Sequence, residues 1–195
     1  MGVLIRHSTY YTEVVYRETY KTGCPDPEMG FNMLKLIRSL TEAKDSVGGS
    51  IGCAIFGIPA GTMGVDSALA ATMFSLHNMK GFEVGRGFDS SKMKLSEGTR
   101  KEIQPIKEES KSSELKMSLV SNAQGGVMSG ISSGQPLCFR VGFGPPGGVG
   151  KKHELVSVNG TWQSVDSDPD YEACDIHGKL ELIEGMAAIS LIPLI

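Results

Sequence analysis

Apolar residues recur at helical intervals in three stretches of the chain. The first predicted helix runs from Pro27 to about Ala43, with the proline in the first turn, where its missing N–H leaves no bond unmade. The second runs from Ala68 to Met79, with Asp66 or Ser67 as its cap. The third runs from about Lys179 to Leu191.

Elsewhere the apolar pattern is that of strands. The predicted strands are Val47–Ile58, Phe82–Phe88 and Leu137–Phe143. Two further apolar runs flank Asn159-Gly160, a dipeptide typical of a type I′ hairpin turn. Residues 1–23 are rich in Tyr and Thr, and they indicate either a strand or an irregular lead-in.

The order of these elements predicts an α+β fold, in which helices pack on a mostly antiparallel sheet. We expect residues 24–195 to form a single domain after the lead-in. From Glu97 to Lys116 the charges are mixed and there is no apolar face, so we predict a mobile, solvated loop.

Composition narrows the possible functions. A chain of 195 residues with 40% hydrophobic and 21% charged residues is typical of a soluble globular domain with a core. Its net charge of -3 argues against a nucleic-acid or anionic-membrane surface. The start has no signal-peptide pattern, and the apolar tail from Gly185 is shorter than the roughly 20 residues of a membrane span. We therefore expect a cytoplasmic protein.

Cysteine and histidine spacing does not indicate a metal site. The four cysteines are far apart, with no C-x-x-C pair and no histidine at ligand spacing, so reduced thiols are expected. His77 is expected at the surface or in the core. His177 lies near Glu172 and Asp175, which leaves two interpretations open: an acid–base cluster or incidental placement.

The most distinctive segment is a glycine-rich run from Asn122 to Val149, on both sides of one apolar strand. Glycine lets a backbone approach a ligand or another strand closely. The run therefore indicates either tight sheet packing or a ligand cradle, and its relevant positions are Asn122, Gly125, Gly126, Gly130 and Gly134.

The amino-acid sequence of this run, GGVMSGISSGQPLCFRVGF, resembles a signature of the chorismate synthase family. Other segments resemble the family in the same order along the chain: CPDPE, KDSVGG, GIPAG, KGFEVG and IEGMAA. The resemblance extends from about Cys24 to Ile195 and corresponds to the second half of the family's enzyme.

The resemblance implies half of a β-α-α-β sandwich and an oligomer. It also implies a flavoprotein lyase of the shikimate pathway, which eliminates phosphate from 5-enolpyruvylshikimate-3-phosphate to give chorismate for aromatic amino-acid biosynthesis, with reduced FMN as cofactor. The family segments that carry both catalytic histidines have no counterpart in this sequence. The expected partner is therefore a second copy of the chain or a separate N-terminal half.

The resemblance also assigns site residues. A catalytic carboxylate falls at Glu172, where the family has aspartate, and Gly178 stands where the family has a substrate-facing arginine. The sequence GPPGG replaces the family's KPTPS, and Asp170 replaces a flavin-facing arginine. The positions of the family's FMN site are Glu97, Gly98, Ser129, Gly144, Pro145, Pro146, Gly147, Gly148 and Asp170.

Two functions remain open from the sequence. One is the lyase reaction of the family. The other is a truncated, catalytically inactive remnant that acts only as a structural or interaction domain. One lysine and two arginines of the family's site are replaced, and each charge-assisted hydrogen bond contributes about 1.5–3 kcal/mol. These losses favour the second function for the isolated chain.

Overall fold

The computed structural model describes residues 2–6, 22–24, 26–94, 103–105, 117–119 and 121–194. The strands are β1 (Gly2–Arg6), β2 (Gly49–Phe56), β3 (Met79–Val84), β4 (Ile103–Pro105), β5 (Met117–Leu119), β6 (Val127–Met128), β7 (Ile131–Ser132), β8 (Leu137–Phe143), β9 (His153–Val156) and β10 (Trp162–Val165). The helices are α1 (Pro27–Ala43), α2 (Val65–Phe74) and α3 (Leu180–Leu191), with short 3₁₀ helices at Gly87–Lys92, His177–Lys179 and Ile192–Leu194.

A four-stranded antiparallel sheet, in the order β1-β2-β8-β3, forms the centre of the described structure. Strand β8 pairs with β2 along its whole length, from Leu137 opposite Ile55 to Phe143 opposite Gly49. Three further strand pairs are also antiparallel: β4 with β5, β6 with β7, and β9 with β10. The predicted α+β class with a mostly antiparallel sheet is therefore confirmed.

The core lies between one face of this sheet and helices α2 and α3. Alternate residues of β8 are buried, because successive side chains of a strand point to opposite faces. They join residues from both helices in one apolar cluster, and full burial of each such side chain contributes about 1.5–3 kcal/mol. The cluster includes Leu137, Phe139, Val141, Phe143, Val65, Leu69, Met73, Ile183, Ala187 and Leu191.

Helix α1 begins and ends as the sequence predicts. The Asp26 carboxylate accepts hydrogen bonds from the N–H groups of Glu28 (2.9 Å) and Met29 (3.1 Å), which satisfies two donors of the first turn. Lys44 adopts the left-handed conformation (φ 53°) and its N–H reaches back to the last turn, which ends the helix.

The predicted bounds of the second helix, Ala68 to Met79, are wrong at both ends. Gly64 is the N-cap, with φ 76°, and no side chain makes a capping hydrogen bond there. Neither Asp66 nor Ser67 therefore caps the helix. At the other end the chain turns after Phe74. The apolar period continues to Met79, but that residue is buried as part of β3.

Two predicted strands are shorter or displaced. The strand β2 occupies the interior of the range Val47–Ile58. The strand β3 starts three residues earlier than predicted, at Met79. It ends at Val84, because Gly85 (φ 59°) and Gly87 (φ 52°) turn the chain into a 3₁₀ helix.

The predicted loop from Glu97 to Lys116 falls mostly outside the described residues. Within it, the structure describes Ile103–Pro105 as strand β4, which pairs with Met117–Leu119. The loop prediction is therefore wrong for these three residues, because a strand farther along the chain supplies their hydrogen-bond partners.

The predicted hairpin is present, but its turn is not type I′. A type I′ turn needs positive φ at both central residues. Only Gly160 has one (φ 80°), and its N–H donates to the carbonyl of Ser157 (2.9 Å). Val158 and Asn159 are therefore the central residues of a type I-like turn, with the glycine as the left-handed residue that follows.

No helix of the described residues is both long and apolar enough to cross a membrane.

We expect Leu69→Ala to lower the free energy of unfolding by about 2–5 kcal/mol, because the change leaves a cavity at a side chain with 0% exposure. Urea denaturation followed by circular dichroism measures the change. The control is Leu155→Ala on β9, where the side chain is half exposed and the expected effect is within about 0.5 kcal/mol. Equal losses for the two variants would contradict this placement of the core.

Candidate functional site

The loop Gly144–Gly148 follows β8, and its first three carbonyl oxygens accept hydrogen bonds from within the chain. The side-chain amide of Asn78 donates to the carbonyls of Gly144 (3.0 Å) and Pro145 (2.6 Å). The Ser46 hydroxyl donates to the carbonyl of Pro146 (3.3 Å). Pro145 and Pro146 have no N–H, so the first part of the loop offers few donors to an anion.

An acidic turn packs against the other end of this loop. The N–H of Asp168 donates to the carbonyl of Val149 (3.0 Å), and a Cβ added to Gly148 would overlap the Asp168 carboxylate. That carboxylate also accepts from the N–H of Asp170 (2.9 Å). The structure thus brings Gly144–Gly148 close to the Asp168–Asp170 turn, although about twenty residues separate them in sequence.

Asp170 and Glu172 are both exposed, on either side of Tyr171. The Tyr171 hydroxyl lies within hydrogen-bond distance of the carbonyl oxygens of Leu40 (3.0 Å) and Asp45 at the end of α1. Tyr171 therefore anchors the acidic segment to that helix. Sequence reasoning missed this role, and the only signal was one aromatic residue within a polar, acidic stretch.

Two lysines near the loop are paired with carboxylates. Lys151 pairs with Asp45 (3.3 Å) and Lys152 with Asp166 (3.8 Å), all at exposed positions. The pKa of Asp45 lies below its usual value, first because the Ser46 N–H donates to its carboxylate and then because of Lys151. These lysines therefore offset nearby acids rather than leave a net positive field.

The side chain of Lys80 also reaches the loop. A Cβ added to Gly144 would lie 3.3 Å from its Cε. Lys80 is exposed, and an exposed ammonium interacts weakly with an anion in water.

The structure does not bring Ser129 to this region. Ser129 lies in the turn between β6 and β7, with φ 51°, a conformation that favours glycine. The next residue, Gly130, accepts a hydrogen bond from the Gly64 N–H at the start of α2 (3.1 Å). This turn lies at the Leu137 end of β8, whereas the loop begins after Phe143 at the opposite end. Glu97 and Gly98 are outside the described residues.

The glycine-rich run contains glycines that two packed backbone segments require. A Cβ on Gly125 would overlap the backbone of Gly85 and lie 2.5 Å from the carbonyl oxygen of Cys138. A Cβ on Gly126 would lie 2.5 Å from the carbonyl oxygen of Pro136, which also accepts from the Asn122 side-chain amide (2.6 Å). Gly130 and Gly134 do not meet backbone so closely. A Cβ on Gly130 would have no atom within 4 Å, and one on Gly134 would lie 3.2 Å from the Cβ of Ala60.

The remaining candidate groups do not converge on one centre. Asp175 pairs with Lys179 in the lead-in to α3, and both Glu172 and His177 are exposed. His153 Nδ1 lies 3.1 Å from the carbonyl oxygen of Lys151. Among the residues that the structure describes, no three His, Cys, Asp or Glu side chains are placed to hold a metal ion.

We tested whether these residues suit FMN. A flavin phosphate binds best to N–H donors and cations. The loop instead contains two prolines, and the turn beside it contains two aspartates. One of the aspartates, Asp168, packs on Gly148. The described residues at the positions that the resemblance assigns to FMN therefore do not fit a phosphate-bearing cofactor.

Comparison with known proteins identifies relatives along nearly the whole chain. A family model described as chorismate synthase matches residues 2–195. The chorismate synthase of Phocaeicola vulgatus is 32% identical over 180 residues, 90% of this chain and 48% of that protein. The Porphyromonas gingivalis enzyme is 32% identical over 179 residues, 89% of this chain and 47% of that protein.

A solved structure of chorismate synthase has a similar fold, with a TM-score of 0.67 and 22% sequence identity. The match covers 91% of this chain and 46% of that one. The chain thus spans about half the length of the curated relatives it matches.

We expect Gly125→Ala to lower the free energy of unfolding by more than about 2 kcal/mol, because the added methyl group must displace backbone rather than a flexible side chain. The control is Gly130→Ala, where φ is also positive but no atom lies within 4 Å, and the expected loss is about 1 kcal/mol. Urea denaturation of both variants makes the comparison. Similar losses would mean that backbone strain, and not the contact with Gly85, accounts for the glycine.

Proposed function

This chain belongs to the chorismate synthase family, and we propose that it is a scaffold domain of that family which does not by itself bind reduced FMN or eliminate phosphate from 5-enolpyruvylshikimate-3-phosphate. The observation that supports this proposal is the contact between Gly144–Gly148 and the Asp168–Asp170 turn. It puts the Asp168 carboxylate beside the loop that corresponds to the family's FMN-binding KPTPS segment.

The electrostatic argument concerns both ligands. The family's cofactor and substrate each carry a phosphate, and the substrate carries carboxylates as well. Charge-assisted hydrogen bonds contribute about 1.5–3 kcal/mol each, so the loss of three weakens binding more than about a thousandfold. Asp170 adds repulsion where the family has an arginine, so binding by the isolated chain should be negligible.

A second candidate function is the family's lyase reaction in a larger assembly. The observation that favours it is the outer face of α3, where Leu182 and Ile189 are exposed together with Ile192 just after the helix. The opposite face of the same helix is buried in the core through Ile183 and Leu191. A helix that is apolar on both sides is usually covered on both.

The partner in such an assembly would be a second copy of this chain or an N-terminal half that supplies the catalytic histidines. The reaction would then be the family's phosphate elimination in the shikimate pathway, in the cytoplasm. We rank this candidate second, because the acidic turn would remain beside the loop in any assembly.

Titration of the purified chain with FMN tests the first proposal. Flavin fluorescence should show no saturable change below about 1 mM, with or without 5-enolpyruvylshikimate-3-phosphate, and chorismate should not form with reduced FMN under anaerobic conditions. Circular dichroism confirms that the chain is folded. Saturable micromolar binding with one flavin per chain would refute the proposal.

Two charge-reversal variants show whether the position of an acidic residue or the net charge of the chain limits the binding of FMN. Asp170→Arg restores the family's residue and should tighten FMN binding at least about tenfold relative to the unchanged chain. The control Glu154→Arg makes the same change of net charge on β9 and should have no such effect. Equal gains would indicate a general effect of net charge, against the specific role of the acidic turn.

A further inference from the structure

A pocket of about 330 Å³ lies between α1, the start of β2 and the segment that leads into α3. The proposed function does not use it. Its wall is formed mainly by apolar side chains from these three elements: Met33, Leu34, Ile37, Ile51, Ile176 and Leu180.

The pocket exists because α1 does not pack closely on the sheet. Gly30 is the one buried residue of α1, where it packs on Thr22 and Cys24. The apolar side chains that follow it are half buried or, at Phe31 and Leu36, exposed. Opposite them, Gly48 and Gly49 have no side chains, and a Cβ on either would meet Phe143 or Ile176. The backbone of both glycines lines the pocket across from α1.

The pocket carries no fixed charge. No Asp, Glu, Lys or Arg is among the described residues that line it, and its titratable groups are Cys24, Cys174 and His177. Cys24 is almost completely buried, and burial raises the pKa of its thiol, which keeps it neutral. A charged ligand would lose its hydration here without gaining an ionic partner.

The volume indicates the size of the ligand. Ligand pockets in proteins begin at about 300 Å³, and an apolar cavity of about 150 Å³ accommodates a single aromatic ring. We propose that this pocket binds a neutral, largely apolar molecule of about two rings. The residues that line this site do not include the loop Gly144–Gly148, although Gly48 contacts Gly144, and the proposal does not rest on the proposed function.

Two dyes with the same ring system but different charge test this chemistry. N-phenyl-1-naphthylamine is neutral, and 8-anilinonaphthalene-1-sulfonate adds one sulfonate. We expect the neutral dye to bind saturably, one per chain, with a rise in fluorescence, and the sulfonate to bind at least about tenfold more weakly. No binding of the neutral dye, or equal binding of the two, would overturn the proposal.

Cysteine labelling on the unchanged chain locates the bound dye. Cys174 lines the pocket and Cys138 does not, and both thiols are half buried. Saturating neutral dye should slow the alkylation of Cys174 by iodoacetamide, read by mass spectrometry, and leave the rate at Cys138 unchanged. Unaltered labelling of Cys174 in the presence of bound dye would place the dye elsewhere and refute the proposal.

Two substitutions separate the pocket from the exposed face of α3. Leu34→Trp fills the pocket and should weaken binding of the neutral dye at least about tenfold, whereas Ile189→Ser on α3 should leave it unchanged. A folded Leu34→Trp chain with full affinity would contradict the site. If that variant does not fold, the labelling experiment still decides the question.

Discussion

The central position of β8 is the constraint on which the rest of the described structure depends. The strand is hydrogen-bonded to β2 on one side and to β3 on the other, so it has no free edge. Because its alternate side chains point to one face, they determine where α2 and α3 pack. Its two ends also determine where the flanking loops can lie.

This geometry separates two of the positions that the family resemblance assigns to a cofactor. Ser129 lies near one end of β8 and the loop Gly144–Gly148 follows the other. Within the described part of the chain, only the loop and the Asp168–Asp170 turn come together. Their meeting concentrates negative charge, which is the opposite of what two phosphate-bearing ligands require. The family fold is thus retained, and an acidic turn lies beside the loop Gly144–Gly148.

The helices place apolar surface in two further regions. Helix α3 exposes an apolar stripe on the side away from the core, and α1 leaves a pocket against β2. The first surface suits another layer of protein, because its apolar side chains are exposed. The second suits a small molecule, because it is recessed and uncharged. Each follows from a helix that has more apolar surface than the sheet covers.

The sequence by itself determined the features that depend on neighbouring residues. These include both ends of α1, which a capping carboxylate and a left-handed residue define, and the whole of β8, whose apolar run is bounded by Gly and Pro. The family resemblance identified the fold, and its assignment of ligand positions stays a prediction. Only the tertiary structure decided the end of α2, because the burial of Met79 in β3 depends on a distant strand. It also decided that Asp168 lies on Gly148, that Gly125 meets Gly85, and that the backbone of Gly48 and Gly49 lines a pocket across from α1. These contacts join segments far apart in sequence, and no local pattern encodes which surfaces meet when the chain folds.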